Sequence, residues 1–512
     1  MLKKITKKQL RSFVGCVCFL AILWCVFSQT TNLFRNYSGN STRIKGIQYE
    51  RQELDMIYVG GSVIMGDWEP LMAWQDWGFT SYCLATDSIP AESLKAYVEY
   101  ARKYQDTDLF LIDAKPFVYF SEEEAEAGLR NGTDSMGLLE PARYRLLRDY
   151  FSSREVEEDT DILSYYFDIA KYHTNLERLQ YPSSWLPGEE RDRAAFKGFE
   201  MRERTWSLTP PENFATEERA PLQEKAQKLL VELLEYGREE NLRFLFVISP
   251  YWIEKSHQKM YNTIADTVEG YGQSFLNANA YYEEMGIDFS EDFLDVAHVN
   301  ISGADKYTAF LGSYLCAHYA LPDHRQDPAY DRWHVDSDAF EIWKEKTWSR
   351  HRDILAQAEN GAALAEKMRD ASTLPEWYGL ASTDYYNLFV VSAEVEGQPD
   401  SLLDRKILEK LGLESDYSHQ LRILTGETIL HSNRDSGEEA LEFSFLGVAE
   451  LGGTVSTADG SCTLALGKQK FTGDPAGINV FVVNAYNGRV EDHRVLRFDA
   501  GDGGVRISGR VR

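Results

Sequence analysis

The sequence predicts an α/β fold, a parallel sheet flanked by helices with an inserted helical lobe, followed by a separate β-rich C-terminal domain. Three observations predict it. Up to about residue 322, short continuous apolar runs alternate with amphipathic helical patterns, as in a helix-covered parallel sheet. Between residues 120 and 221 the alternation yields to charge and aromatics, and beyond about 380 to short strand-like stretches punctuated by Gly, Asn and Asp. At 512 residues the chain exceeds the roughly 250–300 at which single cores stop growing, so several domains are expected.

The N-terminus carries Lys3, Lys4, Lys7, Lys8 and Arg11, then the apolar run "FVGCVCFLAILWCVF" from Phe13 to Phe27. Residues 1–31 are therefore expected to be a membrane anchor or a signal segment. The basic end stays in the cytoplasm and the bulk of the chain lies outside, as a single-pass protein of the cell membrane. The first 27 residues hold 5 of the 54 basic residues and no acidic one, leaving 49 against 81, a net charge of -32. Such a surface repels the phosphates of nucleic acid, so no nucleic-acid partner is expected. Cys83, Cys316 and Cys462, beyond the apolar run, are far apart and odd in number, so neither a disulfide framework nor zinc-ligand spacing is present.

After a polar linker, 32–51, an α/β domain is expected over 52–322. Met56–Val59, Thr80–Ala85 and Asp108–Asp113 ("DLFLID") have the continuous apolar character of strands buried on both faces, and Ala91–Tyr104 that of a helix. Leu222, Ala226, Leu229, Leu230 and Leu233 line one side of a later helix, before the strand "LRFLFVIS" at Leu242–Ser249. The stretches "SEEEAEAGL", "REVEEDTD" and "YYFDIAKYHTNLERL" mark the insertion at 120–221, their charges being solvated faces. Residues 323–380 are expected to be a helical connection and 381–512 the β-rich domain, with "NLFVVSAEV", "HQLRILTG", "LEFSFLGV", "GINVFVVNA" and "HRVLRFDA" as its strands.

The first strand ends in "VGGS", with Ser62 after two glycines. In parallel sheets sites form at the carboxyl ends of strands. A serine hydroxyl becomes a nucleophile when a histidine takes its proton and a carboxylate fixes that histidine. Asp295-Val-Ala-His298 offers such a pair at a spacing of one turn. With ten histidines the pattern arises easily by chance, and it recurs at Asp331-Arg-Trp-His334. Context favours the first. After His298 comes Ser302-Gly-Ala-Asp305, a capping box expected to open a helix, whereas the second pair is expected in an irregular Pro- and Asp-rich stretch. Ile64 stands where a G-x-S-x-G elbow needs its last glycine, which disfavours an ordinary α/β-hydrolase.

These blocks resemble the SGNH (GDSL-like) hydrolase family, whose first block ends a strand in a Gly-x-Ser type turn and whose last is D-x-x-H. The likeness covers about residues 52–322. It is nearest to the membrane-anchored, extracytoplasmic branch related to the D-alanyl transfer protein of lipoteichoic acid synthesis and to polysaccharide O-acetylation factors, and "HVNISGADKYT" resembles that branch's histidine block. The resemblance implies Ser62 as nucleophile, His298 as general base and acid, and Asp295 as its orienter. It implies no metal and no cofactor. The family's oxyanion glycine and asparagine are absent from "LATD" (Leu84–Asp87) and "LIDAKP" (Leu111–Pro116), so the backbone N–H groups of Ser62 and Thr86, with Lys115 replacing the asparagine, are the implied donors. His173 in the inserted lobe is a candidate for lining an acceptor groove, against the plainer reading of a packed helix histidine.

The implied activity is that of a bacterial extracytoplasmic serine acyltransferase or esterase, acting on acyl groups of a cell-envelope polysaccharide or teichoic acid. Transfer also implies a membrane-bound O-acyltransferase as donor-side partner. The missing oxyanion residues leave an alternative open, an inactive scaffold that binds surface glycan or that partner. Gly477-Ile-Asn-Val-Phe-Val-Val with Arg497-Phe-Asp499 resembles the interleukin-like EMT inducer (ILEI) type domain, a β-rich fold implying binding to glycan or partner.

Overall fold

The computed structural model describes the chain except for residues 1–6, 35–38, 120–124, 138–139, 153–160, 174, 176–195, 213, 446–447, 499–504 and 510–512. The charge runs at 121–124 and 154–160, and Asp499 of the C-terminal motif, therefore lie outside the described residues. At the N-terminus one helix, Lys7–Phe34, contains an 18-residue window, Arg11–Ser28, of mean hydropathy 1.9, none of it buried. It is long and apolar enough to cross a membrane, a property shared by anchors and signal sequences.

The α/β part is built on five parallel strands in the order β2-β1-β3-β4-β5: β1 Met56–Gly60, β2 Ser81–Ala85, β3 Leu109–Asp113, β4 Arg243–Ile248 and β5 Ser274–Asn277. The first three strands are buried at every residue, which is why their sequences lack polar alternation. Successive side chains nevertheless serve different cores. Ile57, Val59, Phe110 and Ile112 pack with the helices Ala91–Arg102 and Glu224–Glu239, while Met56, Tyr58, Leu109 and Leu111 face the helices Ser62–Asp67 and Ile301–His318. Edge strand β5 is short, and the sequence reading does not include it.

Two expected connections differ. The polar linker at 32–51 is part of the fold: Gly39–Gly46 is helical, and Ile44 and Ile47, three apart on one face, are fully buried, with Tyr82 donating from its hydroxyl to the Arg43 carbonyl at 2.8 Å. The insertion is helical at Ala125–Ser135, Pro141–Ser152, Leu163–Tyr166 and Asp168–Tyr172, but the described residues from Phe199 to Pro221 are extended. Pro210, Pro211 and Pro221 remove helix donors there. The backbone of this strap is tied instead to other segments, Glu200 N–H to Met65 O, Trp206 N–H to Phe293 O and Leu208 N–H to Phe289 O.

A 40-residue helix, Asp331–Asp370, about 60 Å long, links the two halves. Lys344 on it pairs with Glu69 at 2.8 Å and Asp305 at 2.7 Å, fastening it to the α/β part. At its far end Arg494 donates to the carbonyls of Met368 and Arg369. The C-terminal region is antiparallel. Six strands in the order β15-β14-β13-β6-β7-β8 (Val505–Ser508, Val490–Phe498, Ile478–Asn484, Tyr386–Ser392, Gln420–Thr425, Thr428–Ser432) accompany four in the order β12-β11-β10-β9 (Gln469–Gly473, Cys462–Leu466, Val448–Ser456, Ala440–Phe445). On β6, Phe389 and Val391 point into a cluster shared with Leu464 and Leu466, and Leu388 and Val390 point to the helices Leu374–Ala381 and Leu402–Lys410.

Candidate active site

Why the first strand ends in two glycines is answered by its neighbour. At Gly60 a Cβ would lie 2.4 Å from Asp113 Cβ, on the adjoining end of β3, so only glycine fits. Asp113 then uses both oxygens on backbone: Oδ2 accepts the Gly61 N–H at 3.2 Å and Oδ1 the Lys115 N–H at 2.9 Å. One carboxylate thereby fixes the two turns that follow β1 and β3. Gly60→Ala is expected to overpack this junction and destabilise the protein by about 1–3 kcal/mol, read as a lower urea midpoint; an unchanged midpoint would contradict the close approach.

Ser62 opens the short helix Ser62–Asp67, and its Oγ lies 2.8 Å from His298 Nε2. His298 Nδ1 lies 2.9 Å from both oxygens of Asp295. Asp295 is fully buried, and its Oδ1 also accepts the N–H of Ala297 at 2.6 Å and of His298 at 2.9 Å, an Asx turn that sets the ring against the carboxylate. Burial opposes ionisation of Asp295. The His298 ring, its hydrogen bonds, the Ala297 N–H and Arg202 more than offset this and hold the carboxyl below the usual aspartate range. A carboxylate at Nδ1 selects the tautomer with its proton there, leaving Nε2 to accept from the Ser62 hydroxyl.

The helix after His298 starts differently from its expected form. Asn300, not Ser302, is its cap: the Asn300 side-chain oxygen accepts from Ser302 N–H at 3.0 Å and Gly303 N–H at 3.3 Å, and the helix runs Ile301–His318. Asp305, expected to complete a capping box, instead pairs with Lys344 and accepts from the Trp348 indole at 3.1 Å. The second Asp/His pair begins the long helix instead of lying in irregular chain. His334 there has Nε2 3.0 Å from the Arg325 carbonyl and stands edge-on to Trp74 at 5.3 Å.

Of the implied oxyanion donors, one has a main-chain N–H that is not spent elsewhere. Ser62 N–H is the first of its helix, so no turn precedes it to accept, and it has no acceptor among the described residues. Thr86 requires a correction: it continues the ladder past β2, its N–H donates to Gly60 O at 3.4 Å, and its hydroxyl lies 3.2 Å from the Tyr97 hydroxyl. A main-chain donor spent on the sheet does not serve an oxyanion. Lys115 lies at the site, its Nζ donating to Ala297 O at 3.2 Å and standing 4.4 Å from the centre of the Tyr251 ring. Two further N–H bonds remain on that ammonium. Burial lowers its pKa from the usual lysine value, against the pull of Asp113, Asp67 and Asp295.

His173 also requires a correction. It is exposed, with Nδ1 2.7 Å from Ala170 O of its own helix, and that helix packs on Lys7–Phe34 and on its neighbour Leu163–Tyr166, not on the elements that hold Ser62. Among the described residues no group of three or more His, Cys, Asp or Glu side chains converges to hold a metal ion.

Three further residues stand at the site, two of them without any sequence signal. Arg202, from the extended strap, donates to the Ser62 carbonyl at 2.9 Å, and its guanidinium fills the space a Cβ on Gly66 would take. Asp67, at the end of the serine's helix, is fully buried, with Ser249 beside it but outside hydrogen-bond geometry. Burial pushes its carboxyl up to about 7, against the charge of Arg202. Asp113 is the third; it is buried and raised by that burial, against the N–H groups it accepts. It alone left a trace, as a charge closing the apolar run "LFLID". Compared with known proteins, the chain matches no family model and no curated protein.

Proposed function

We propose that the chain is a serine esterase or O-acyltransferase that acts outside the cytoplasm on acyl groups of a cell-envelope polysaccharide or teichoic acid. The observation that carries this reading is the arrangement of three side chains, Ser62 Oγ 2.8 Å from His298 Nε2 and His298 Nδ1 2.9 Å from Asp295. The resemblance of the serine and histidine blocks to the extracytoplasmic SGNH branch supports the substrate class. The apolar N-terminal helix supports the location.

In this mechanism Ser62 Oγ attacks the acyl carbonyl as His298 Nε2 takes its proton, and Asp295 stabilises the imidazolium that forms. The negative charge on the carbonyl oxygen is met by the Ser62 N–H, with the Lys115 ammonium as the nearby cation. Collapse breaks the ester C–O bond, and His298 returns its proton to the leaving alkoxide. The acyl group, now esterified to Ser62, passes to water or to a sugar hydroxyl, whose proton goes to Nε2 and from there to Ser62 Oγ as the acyl–serine bond breaks. For transfer, a membrane-bound O-acyltransferase supplies the donor outside the cell.

The full chain in detergent is treated with a fluorophosphonate and with an acetylated ester. Labelling and acetate release are expected in the wild type and absent in Ser62→Ala. A folded wild type that is neither labelled nor active would instead favour a glycan- or partner-binding scaffold, for which the missing oxyanion glycine and asparagine already argue.

A further inference from the structure

The loop carrying Asp295 and His298 is touched by the C-terminal region. At Gly467, in the turn between β11 and β12, a Cβ would lie 3.6 Å from Val296 Cγ1. The next residue, Lys468, reaches back to Glu254, with Nζ 2.6 Å from Oε1. Glu254 precedes the helix Lys255–Gly270, whose His257 ring stands edge-on to Tyr119 with centroids 4.6 Å apart. Tyr119 shares the Lys115 ammonium with Tyr251, and Lys115 donates to Ala297. These contacts close a ring that leaves the catalytic loop at Val296 and returns to it at Ala297, one residue before His298.

The hairpin is held in this ring by more than Lys468. Leu464 and Leu466 of β11 are buried in the same cluster as Phe293 and Val299, which flank the Asp/His loop. Ser207 N–H donates to Asn487 O at 2.7 Å, and Trp206 lies against Gly488, fastening the two parts a second time.

The chemistry of the ring selects its ligand. Tyr119 is 46% exposed and offers an aromatic surface. The side chains of Lys468 and Glu254 are 49% and 36% exposed, so each keeps polar atoms for a further partner. Lys468 is already neutralised by Glu254, so a polyanion gains little there, and a bare acyl chain would leave both groups unmet. A neutral sugar ring suits both features, its C–H groups on the aromatic face and its hydroxyls on the ion pair.

The geometry points to a composite site: the C-terminal domain completes the active site, with Lys468, Glu254 and Tyr119 forming a subsite for the neutral sugar that carries or accepts the acyl group. This inference rests on the acyl-transfer reading above. It also replaces His173 with residues linked to the Asp295–His298 loop through Val296 and Ala297.

Two substrates test it on the full chain: p-nitrophenyl acetate, which has no sugar, and an O-acetylated chitotriose. In Lys468→Ala, and separately in Tyr119→Ala, the ratio of kcat/KM for the sugar ester to that for p-nitrophenyl acetate is expected to fall at least threefold. A smaller fall in Lys468→Ala overturns the inference, because an effect equal on both esters places the hairpin's influence on the Asp295–His298 loop alone. If the wild type turns over neither ester, the acyl-transfer reading fails, and the subsite is judged by binding. Unmodified chitotriose must then bind the wild type, and at least threefold more weakly the Lys468→Ala chain; absence of binding overturns the subsite too.

Discussion

Asp295→Asn is expected to lower kcat for ester cleavage by about 10⁴-fold, the scale of loss when a triad histidine is held in the wrong tautomer. Asparagine offers the same shape, and its side-chain oxygen can still accept the N–H groups of Ala297 and His298, now met by Asp295 Oδ1. Its amide, however, presents N–H to His298 Nδ1. That nitrogen must then accept, the proton moves to Nε2, and Nε2 no longer accepts from the Ser62 hydroxyl 2.8 Å away. The loop should survive and the base should not, so kcat falls while the melting temperature stays within a few degrees. A fall in kcat of less than tenfold in a folded variant would mean that His298 does not act as the base.

Asp295 also sets a test of sign. Its folded carboxyl is held below the ordinary aspartate value, so its contribution to stability is present above that value and is lost as pH falls through the folded one. The triad loop is therefore expected to loosen only under strong acid.

What the sequence disclosed followed from period and position. Runs such as "DLFLID" and "LRFLFVIS" signal strands because both faces of β3 and β4 are covered, and the observed strands Leu109–Asp113 and Arg243–Ile248 fall within them. Ser62 and the Asp295/His298 pair stood out by strand end, spacing and order, and the fold brings them into contact across 236 residues. Arg202 could not be read this way. It lies in "MRERTW", where nothing periodic marks one arginine from the other, and its role comes from an extended strap whose backbone is paired to distant segments. Thr86 misled for a related reason: the end of β2 is visible in sequence, but whether the next N–H is free depends on the register with Gly60, a tertiary fact. The contact of Lys468 with Glu254 is equally invisible, joining residues 214 apart through the docking of two sheets.

Asp67→Asn is expected to stabilise the protein by about 4 kcal/mol at pH 8 and by almost nothing near pH 4, at 1.36 kcal/mol per pH unit between the two carboxyl values. Asp67 titrates at about 7 in the folded protein against 3.8 for the free side chain. The folded state thus holds a proton that the unfolded chain has released, and this preference is fully present below the unfolded value. It is lost as pH rises through the folded one, so over that window the wild type pays progressively to ionise a carboxylate that is fully buried at the end of the serine's helix. Arg202 repays only part of that cost, being also hydrogen-bonded to the Ser62 carbonyl. Asparagine has the shape of the protonated acid and does not ionise, so the variant should lack this pH dependence. Urea midpoints of wild type and variant measured from pH 4 to 8 should therefore diverge upward in pH. Parallel curves would show that Asp67 is ionised throughout, and the carboxyl at the end of the serine's helix would then be held as an ion beside Arg202, with no proton to lose as the protein moves between acidic and neutral surroundings.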